Sequence, residues 1–291
     1  MRILVTGGAG FIGKRLISML VERHEVLSYG FHNLTIPEHP NLTRLNGNIL
    51  FPNPLKQAVK DADVVVHLAA QTEVEKMRTG IKMFVTNVDG TNSVLEACRR
   101  HNVKKFIFAS TGLVYGSSSL SKETDNADQV DLYPNTKRMC EIMCNHYSKY
   151  FDVAVLRIFS VYGLNQNREK VVPKLIGSIY RGRDVPVCDQ SRDFVHVDDV
   201  CRGIIGAMGV EHGFGIYNIG AGRSIPVRTV ANLISETLNK KPNIVNINCK
   251  SVKSTCADIK AAKLKFGYMP QIHIEKGIKG ILADPGWKNA V

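Results

Sequence analysis

Tyr133 and Lys137 stand four residues apart in the segment Tyr133-Pro-Asn-Thr-Lys137. With Pro134 at the first position of a helix, where proline is favoured, the two side chains share one face a turn apart. A phenol titrates near 10 in water, and a neighbouring ammonium stabilises the phenolate and lowers that value. Such a pair can exchange a proton near neutral pH. The pattern also occurs by chance in many helices, so its weight comes from what accompanies it. Ala109-Ser110-Thr111 closes an apolar run, and a hydroxyl at the carboxyl end of a strand faces the cleft where open α/β sheets bind ligands. By itself that would be an ordinary cap. Gly7, Gly10 and Gly13 form a G-x-x-G-x-x-G run between an apolar strand and a helical pattern. Glycines there let the backbone approach a pyrophosphate, whose charge the N–H groups and dipole of the helix N-terminus stabilise.

The elements that must hold these groups follow from hydrophobic periodicity. Arg2 to Thr6 reads as a buried strand, and Ile12, Leu16, Met19 and Leu20 fall at helical spacing after it. Further strands are expected at 25–29, 42–49, 63–70, 104–110 and 154–159, with helices at 85–102 and 134–150. Continuous apolar strands separated by helices imply a parallel sheet covered on both faces. The expected fold is α/β: a Rossmann-type doubly wound parallel sheet with a smaller C-terminal α/β substrate lobe. Beyond Phe159 the elements shorten, with helices expected at 171–181, 227–239, 258–266 and 275–282. Residues 1–165, joined by 194–218 returning to the large sheet, form the expected first domain; 166–193 and 219–291 form the lobe.

Length and composition agree with this division, since a single core stops growing near roughly 250 to 300 residues and the chain has 291, 44% of them hydrophobic and 22% charged. No apolar run approaches the roughly 18 residues of a membrane span, and the opening MRILVTGGAG runs straight into the glycine loop. A soluble, cytoplasmic protein without membrane partners is expected. The formal charge of +12 is spread along the chain without aromatic interleaving, so phosphate-bearing small ligands account for it better than nucleic acid. Seven scattered cysteines (Cys98, Cys140, Cys144, Cys188, Cys201, Cys249, Cys256) argue for reduced, packed thiols rather than a disulfide framework. His196-Val197-Asp198-Asp199 could suggest a metal, but its carboxylates read better as caps at a helix N-terminus, and no metal is expected.

The blocks VTGGAGFIG, DVVVHLAA, TNVDGTNSVLEAC, FASTGLVYG, YPNTK, LRIFSVYG, RDFVHVDDV and YNIG, in that order, resemble the extended branch of the short-chain dehydrogenase/reductase superfamily, the nucleotide-sugar epimerases, dehydratases and reductases. The likeness spans nearly the whole chain, including ADIKAAKLKFGYMP near its end. It implies dinucleotide binding by the first domain and nucleotide-sugar binding by the lobe. Tyr133 would be the general base, Lys137 the residue that binds the nicotinamide ribose and tunes Tyr133, and Thr111 the hydroxyl on the reacting sugar oxygen. Cofactor contacts are implied for Gly7, Gly10, Phe11, Ile12, Asn48, Ile49, Leu68, Ala69, Ala70 and Asn87 as well as Tyr133 and Lys137. Substrate contacts are implied for Thr111, Ser160 and Arg192, whose planar fork suits a diphosphate. A homodimer built on helices within 88–98 and 139–150 is a further implication.

Departures from the pattern bear on the reaction. Where NAD-binding relatives carry an acid after the second strand, this chain reads Ser28-Tyr29-Gly30-Phe31-His32. NADP, with Lys14, Arg15 or His32 near its 2′-phosphate, is then as well supported as NAD. Asn48 replaces an aspartate at the adenine edge, Ser160 an asparagine. Gly112 and Leu113 follow Thr111 in place of the Asp-Glu pair of dehydratases, which disfavours dehydration. The implied activity is at sugar C4 through a 4-keto species, as a nucleotide-hexose 4-epimerase. An NADPH-dependent 4-reductase of a nucleotide 4-keto-6-deoxy sugar uses the same residues in reverse, and Gly30 and the short chain favour it. A non-catalytic dinucleotide sensor or RNA-binding relative is the reading from another class, supported by the charge and opposed by Thr111, Tyr133 and Lys137 all being present.

Overall fold

The computed structural model describes residues 1–31, 35–72, 80–127, 131–247 and 254–289. Its first half alternates strand and helix: β1 (Arg2–Thr6), α1 (Phe11–Leu20), β2 (Glu25–Gly30), β3 (Leu42–Asn46), α2 (Pro52–Val59), β4 (Val64–His67), α3 (Ile81–Phe84), α4 (Gly90–Arg100), β5 (Lys105–Thr111), α5 (Leu132–Tyr147) and β6 (Asp152–Ile158). The second half adds β7 (Ser160–Tyr162), α6 (Val171–Tyr180), β8 (Asp184–Val187), β9 (Ser191–Arg192), β10 (Phe194–His196), α7 (Val197–Met208), β11 (Phe214–Ile219), β12 (Ile225–Pro226), α8 (Val227–Leu238), β13 (Asn243–Asn246), α9 (Lys260–Phe266) and α10 (Ile274–Ala283).

Seven strands form one sheet in the order β11-β6-β5-β4-β1-β2-β3, every pair parallel. Alternate side chains along each strand enter opposite layers, which is why the central strands β1 and β4 are buried along nearly their whole length, whereas the edge strand β3 carries Thr43, Arg44 and Asn46. Ile3 and Val5 pack with Leu16 and Leu20 of α1 and Val200 and Ile204 of α7. Leu4, between them, packs on the other face with Leu55, Leu95, Phe106 and the helix α5 cysteines Cys140 and Cys144. A third core joins Leu175 and Ile176 of α6, Val185, Val230 and Ile234 of α8, Ile278 and Trp287. No helix among the described residues is long and apolar enough to cross a membrane.

Several boundaries differ from the sequence reading. The third strand stops at Asn46 and the fourth at His67, before Leu68 to Ala70 turn along the cleft. The helix at 85–102 begins earlier, at Ile81, and carries a π turn over Val85–Asp89. Helix α2, only eight residues long and opening on Pro52, buries Leu55, Ala58 and Val59 and has no counterpart in the sequence reading. Of 194–217, only β11 joins the large sheet, whereas β10 pairs with β7 in a sheet of its own. The cysteine expectation is also corrected: Cys98, Cys140, Cys144, Cys201 and Cys256 are free and buried, but Cys188 is disulfide-bonded. Pairing of β8 with β13 sets Val187 beside Asn246, a proximity that spacing in sequence does not reveal. Cys249 lies outside the described residues, as does His32. Asp198 and Asp199 occupy the first turn of α7 but are not its cap, which is His196, whose ring accepts from the Asp198 N–H at 3.2 Å.

Candidate active site

At the carboxyl ends of the central strands a cleft of about 650 Å³ opens, the location expected of an open α/β sheet. Its first wall is the turn from β1 to α1. Gly7 there has φ +71°, and a Cβ on it would come within 2.7 Å of the Ala69 N. A Cβ on Gly13 would meet the Gly7 carbonyl at 2.5 Å and Gly8 Cα at 2.7 Å. Only glycine allows this turn to lie so close to the end of β4. Helix α1 starts from Gly10 with no side chain capping it, so its first N–H groups are free for an anion. Gly7, Gly10, Phe11, Ile12, Leu68 and Ala70 line this end of the cleft. A backbone cradle that a Cβ would fill, next to an uncapped helix start, fits a dinucleotide diphosphate.

Thr111, Tyr133 and Lys137 line the middle of the same cleft. Strand β5 ends at Thr111, whose Oγ1 accepts from the Leu113 N–H at 3.2 Å, leaving its O–H to donate elsewhere. Helix α5 starts one residue before Tyr133, so Tyr133 and Lys137 lie one turn apart on one face. Lys137 Nζ donates to the Ala109 carbonyl at 2.8 Å and sits 4.7 Å from the centre of the Phe108 ring. Burial lowers its value to about 8, whereas burial raises the Tyr133 phenol above its ordinary value. The expectation that Lys137 lowers Tyr133 is therefore not met in this arrangement: the ammonium is held at the strand end, and desolvation dominates the phenol.

The far end of the cleft is lined by Ser160, Gln166, Lys170 and Arg192. Burial lowers the Arg192 guanidinium, and its Nη2 donates to Gln190 Oε1 at 3.0 Å. Among the described residues no carboxylate pairs with it. Its neighbour Asp193 turns away, accepting from the N–H groups of Ala221, Gly222 and Ala257 at 2.5, 3.0 and 2.9 Å. Gln166 and Lys170 belong to no motif, and only folding brings that loop to the cleft. Gln166 Nε2 donates to the Val161 carbonyl at 2.6 Å, and its Oε1 is buried with no hydrogen-bond partner.

Four expected cofactor residues are not on the cleft wall. The Asn48 amide is used locally, its Oδ1 accepting from the Leu50 N–H at 3.0 Å, and Ile49 is buried at 5% exposure. The Ala69 N–H points back to Thr6 Oγ1 at 3.4 Å. Asn87, in the π turn, accepts from the Gln71 N–H at 2.7 Å and donates to the Gln71 carbonyl and Thr136 Oγ1, both at 3.0 Å. It ties the loop after β4 to α5 from behind. Buried His67 continues that tie: Thr6 Oγ1 lies 2.6 Å from its Nδ1 and Thr91 Oγ1 3.0 Å from its Nε2, and burial drops its value to about 3. Arg15, a candidate partner for a 2′-phosphate, instead forms a bidentate pair with Asp198 at 2.7 and 2.8 Å. The cleft wall between Thr111 and Phe159 leaves no room for an acid after Thr111, because a Cβ on Gly112 would come within 2.8 Å of the Phe159 ring.

A sequence profile of the NAD dependent epimerase/dehydratase family matches residues 3–220. The chain is 29% identical to a UDP-glucuronate 4-epimerase of Thermodesulfobacterium geofontis over 95% of its own length and 93% of the relative's. It is 31% identical to the dTDP-D-glucose 4,6-dehydratase of Homo sapiens over 96% and 88%. Its fold matches MoeE5, solved with UDP-glucuronic acid and NAD, with a TM-score of 0.90, 28% identity and 99% of each chain covered. NAD, rather than the NADP that the missing carboxylate left open, is the cofactor of this group. A profile match over most of the sequence, likeness along whole chains and a shared fold converge on one assignment: the chain belongs to the NAD dependent epimerase/dehydratase family and is an NAD-dependent sugar-modifying enzyme.

Proposed function

We propose that this enzyme is a nucleotide-sugar 4-epimerase, with a UDP-hexose as the substrate class. The observation that carries the reading is the placement of Thr111, Tyr133 and Lys137 in one cleft between a glycine cradle that fits a diphosphate and the Arg192 guanidinium, which among the described residues has no carboxylate partner. Gly7, Gly10, Phe11, Ile12, Leu68 and Ala70 would hold the dinucleotide, and Lys137 its ribose. Bound NAD supplies a reversible hydride acceptor at the sugar carbon. Tyr133 takes the proton of the 4-hydroxyl as that carbon becomes a ketone, and returns it when the opposite face is reduced. Thr111 donates to the same oxygen. Arg192 binds the nucleotide diphosphate through its paired N–H donors, and Ser160 and Gln166 Oε1 meet polar groups of the nucleotide or sugar.

Elimination of water is opposed by the wall after Thr111, since Gly112 cannot become acidic without displacing Phe159. The lack of an acid at Gly30 favours a reductase, but Arg15 is committed to Asp198 and is not free for a 2′-phosphate. A homodimer through α4 and α5 is supported by apolar side chains on α5 that remain in water, Met139 at 42% and Ile142 at 61% exposure. The test is to incubate the protein with catalytic NAD and UDP-hexoses and follow C4 configuration by proton NMR. Isomer interconversion without net NADH is expected. Tyr133→Phe should abolish interconversion while NAD still binds, and turnover surviving that change would refute the assignment. Sedimentation equilibrium of the wild type tests the dimer.

A further inference from the structure

Behind the cleft wall lies a buried charge cluster that the proposed chemistry does not use. Glu141 sits on α5 four residues after Lys137 and eight after Tyr133, hence on the same face, and is 1% exposed. Its carboxylate accepts from Ser110 Oγ at 2.6 Å, Arg157 Nε at 3.0 Å, Arg157 Nη2 at 2.8 Å and Arg138 Nη1 at 2.9 Å. Arg157, on β6, is itself 2% exposed, stands opposite Ser110 in the sheet register, and lies 4.7 Å over the Tyr115 ring.

We propose that Glu141 is a positioning residue, acting through Ser110 to fix the Thr111 hydroxyl relative to Tyr133 and Lys137. Helix α5 grips the end of β5 at two consecutive residues: Lys137 holds the Ala109 carbonyl and Glu141 holds the Ser110 hydroxyl. Thr111 is the next residue, so its height and rotation follow from that grip. Arg157 keeps the Glu141 carboxylate aimed, and the register of β5 on β6 keeps Arg157 in place. An apolar pair of the same volume would hold helix to strand as firmly, because desolvation cancels most of what a buried ion pair gains. What the polar version adds is a fixed direction, and a misplacement of an ångström in such a constellation costs up to about a hundredfold in rate.

This rests on the epimerase reading, and the test separates the two. Ser110→Ala removes the link while leaving the Glu141–Arg157 pair intact. Its kcat should fall roughly 10- to 100-fold, with KM for the UDP-hexose, NAD affinity by fluorescence titration and Tm near those of the wild type. Glu141→Gln should lose at least as much. The double variant should be no slower than Glu141→Gln alone, as expected for two residues acting in series. Unchanged kcat in Ser110→Ala overturns the proposal, as does a loss carried by KM or matched by a fall in Tm. Should Glu141→Gln fail to fold, the split between kcat and KM in Ser110→Ala decides alone. Tyr133→Phe is the control: inactivity there beside full activity of Ser110→Ala sinks only this proposal, whereas an active Tyr133→Phe sinks the epimerase reading.

Discussion

Replacing Lys137 by methionine should trade function for pH-independent stability. The ammonium is 3% exposed and burial lowers it from 10.5 to about 8, which corresponds to about 3 kcal/mol at 1.36 kcal/mol per pH unit. In the unfolded chain the group binds its proton up to about 10.5. The folded state therefore carries the penalty below about pH 8 and sheds it as pH rises from about 8 to 10.5, where the unfolded state holds more protons and wild-type stability increases. Methionine fills the same channel without a charge, but forfeits the charged hydrogen bond to the Ala109 carbonyl, about 1.5–3 kcal/mol. Near pH 7 these terms nearly cancel, and Lys137→Met should match the wild type or exceed it by about 1 kcal/mol. Between pH 8 and 10 the wild type should gain roughly 2 kcal/mol on the variant. Urea unfolding of both proteins without added nucleotide, at several pH values, measures the difference and cancels groups common to both. A gap that stays constant across this range would refute the view of Lys137 as a buried, destabilising cation. Sugar turnover by the variant should be absent.

Gly13→Ala forces a Cβ to within 2.5 Å of the Gly7 carbonyl, so it should cost about 1–3 kcal/mol in chemical denaturation and weaken NAD binding; wild-type affinity in that variant would disprove the cradle. Arg192→Ala should raise KM for the nucleotide sugar roughly 10- to 100-fold, the equivalent of about 1.5–3 kcal/mol for a charged hydrogen bond, and leave NAD titrations unchanged. Arg15→Ala breaks a half-exposed ion pair with Asp198 and should alter stability by less than about 1 kcal/mol, with NADP binding no tighter or weaker than in the wild type. A selective loss of NADP affinity would show that Arg15 leaves Asp198 for a 2′-phosphate.

Local chemistry sufficed for much of the architecture. The apolar runs at β1, β4, β5 and β6 pointed to strands buried on both faces, and the glycine run between β1 and α1 pointed to a tight turn before a helix, so the sheet and that turn were legible from residue order. Ends of elements were less so. Strand β4 stops at His67 because the chain turns toward the cleft there, and the helix around Asn87 widens into a π turn whose side chain is engaged by Gln71 and Thr136, partners far away in sequence.

By itself the sequence determined which groups exist and at what helical or strand spacing: a phenol one turn from an ammonium, a hydroxyl closing a strand, glycines before a helix. Tertiary structure decided what each group experiences. It desolvated Tyr133 and Lys137 enough to move their values in opposite directions, engaged Asn87 with Gln71 and Thr136, bound Arg15 to an aspartate 183 residues away and brought Gln166 and Lys170 to a site that no motif announces. Electrostatic environment and hydrogen-bond partnership depend on distances between chain segments that only packing sets, and periodicity along one segment carries no record of them.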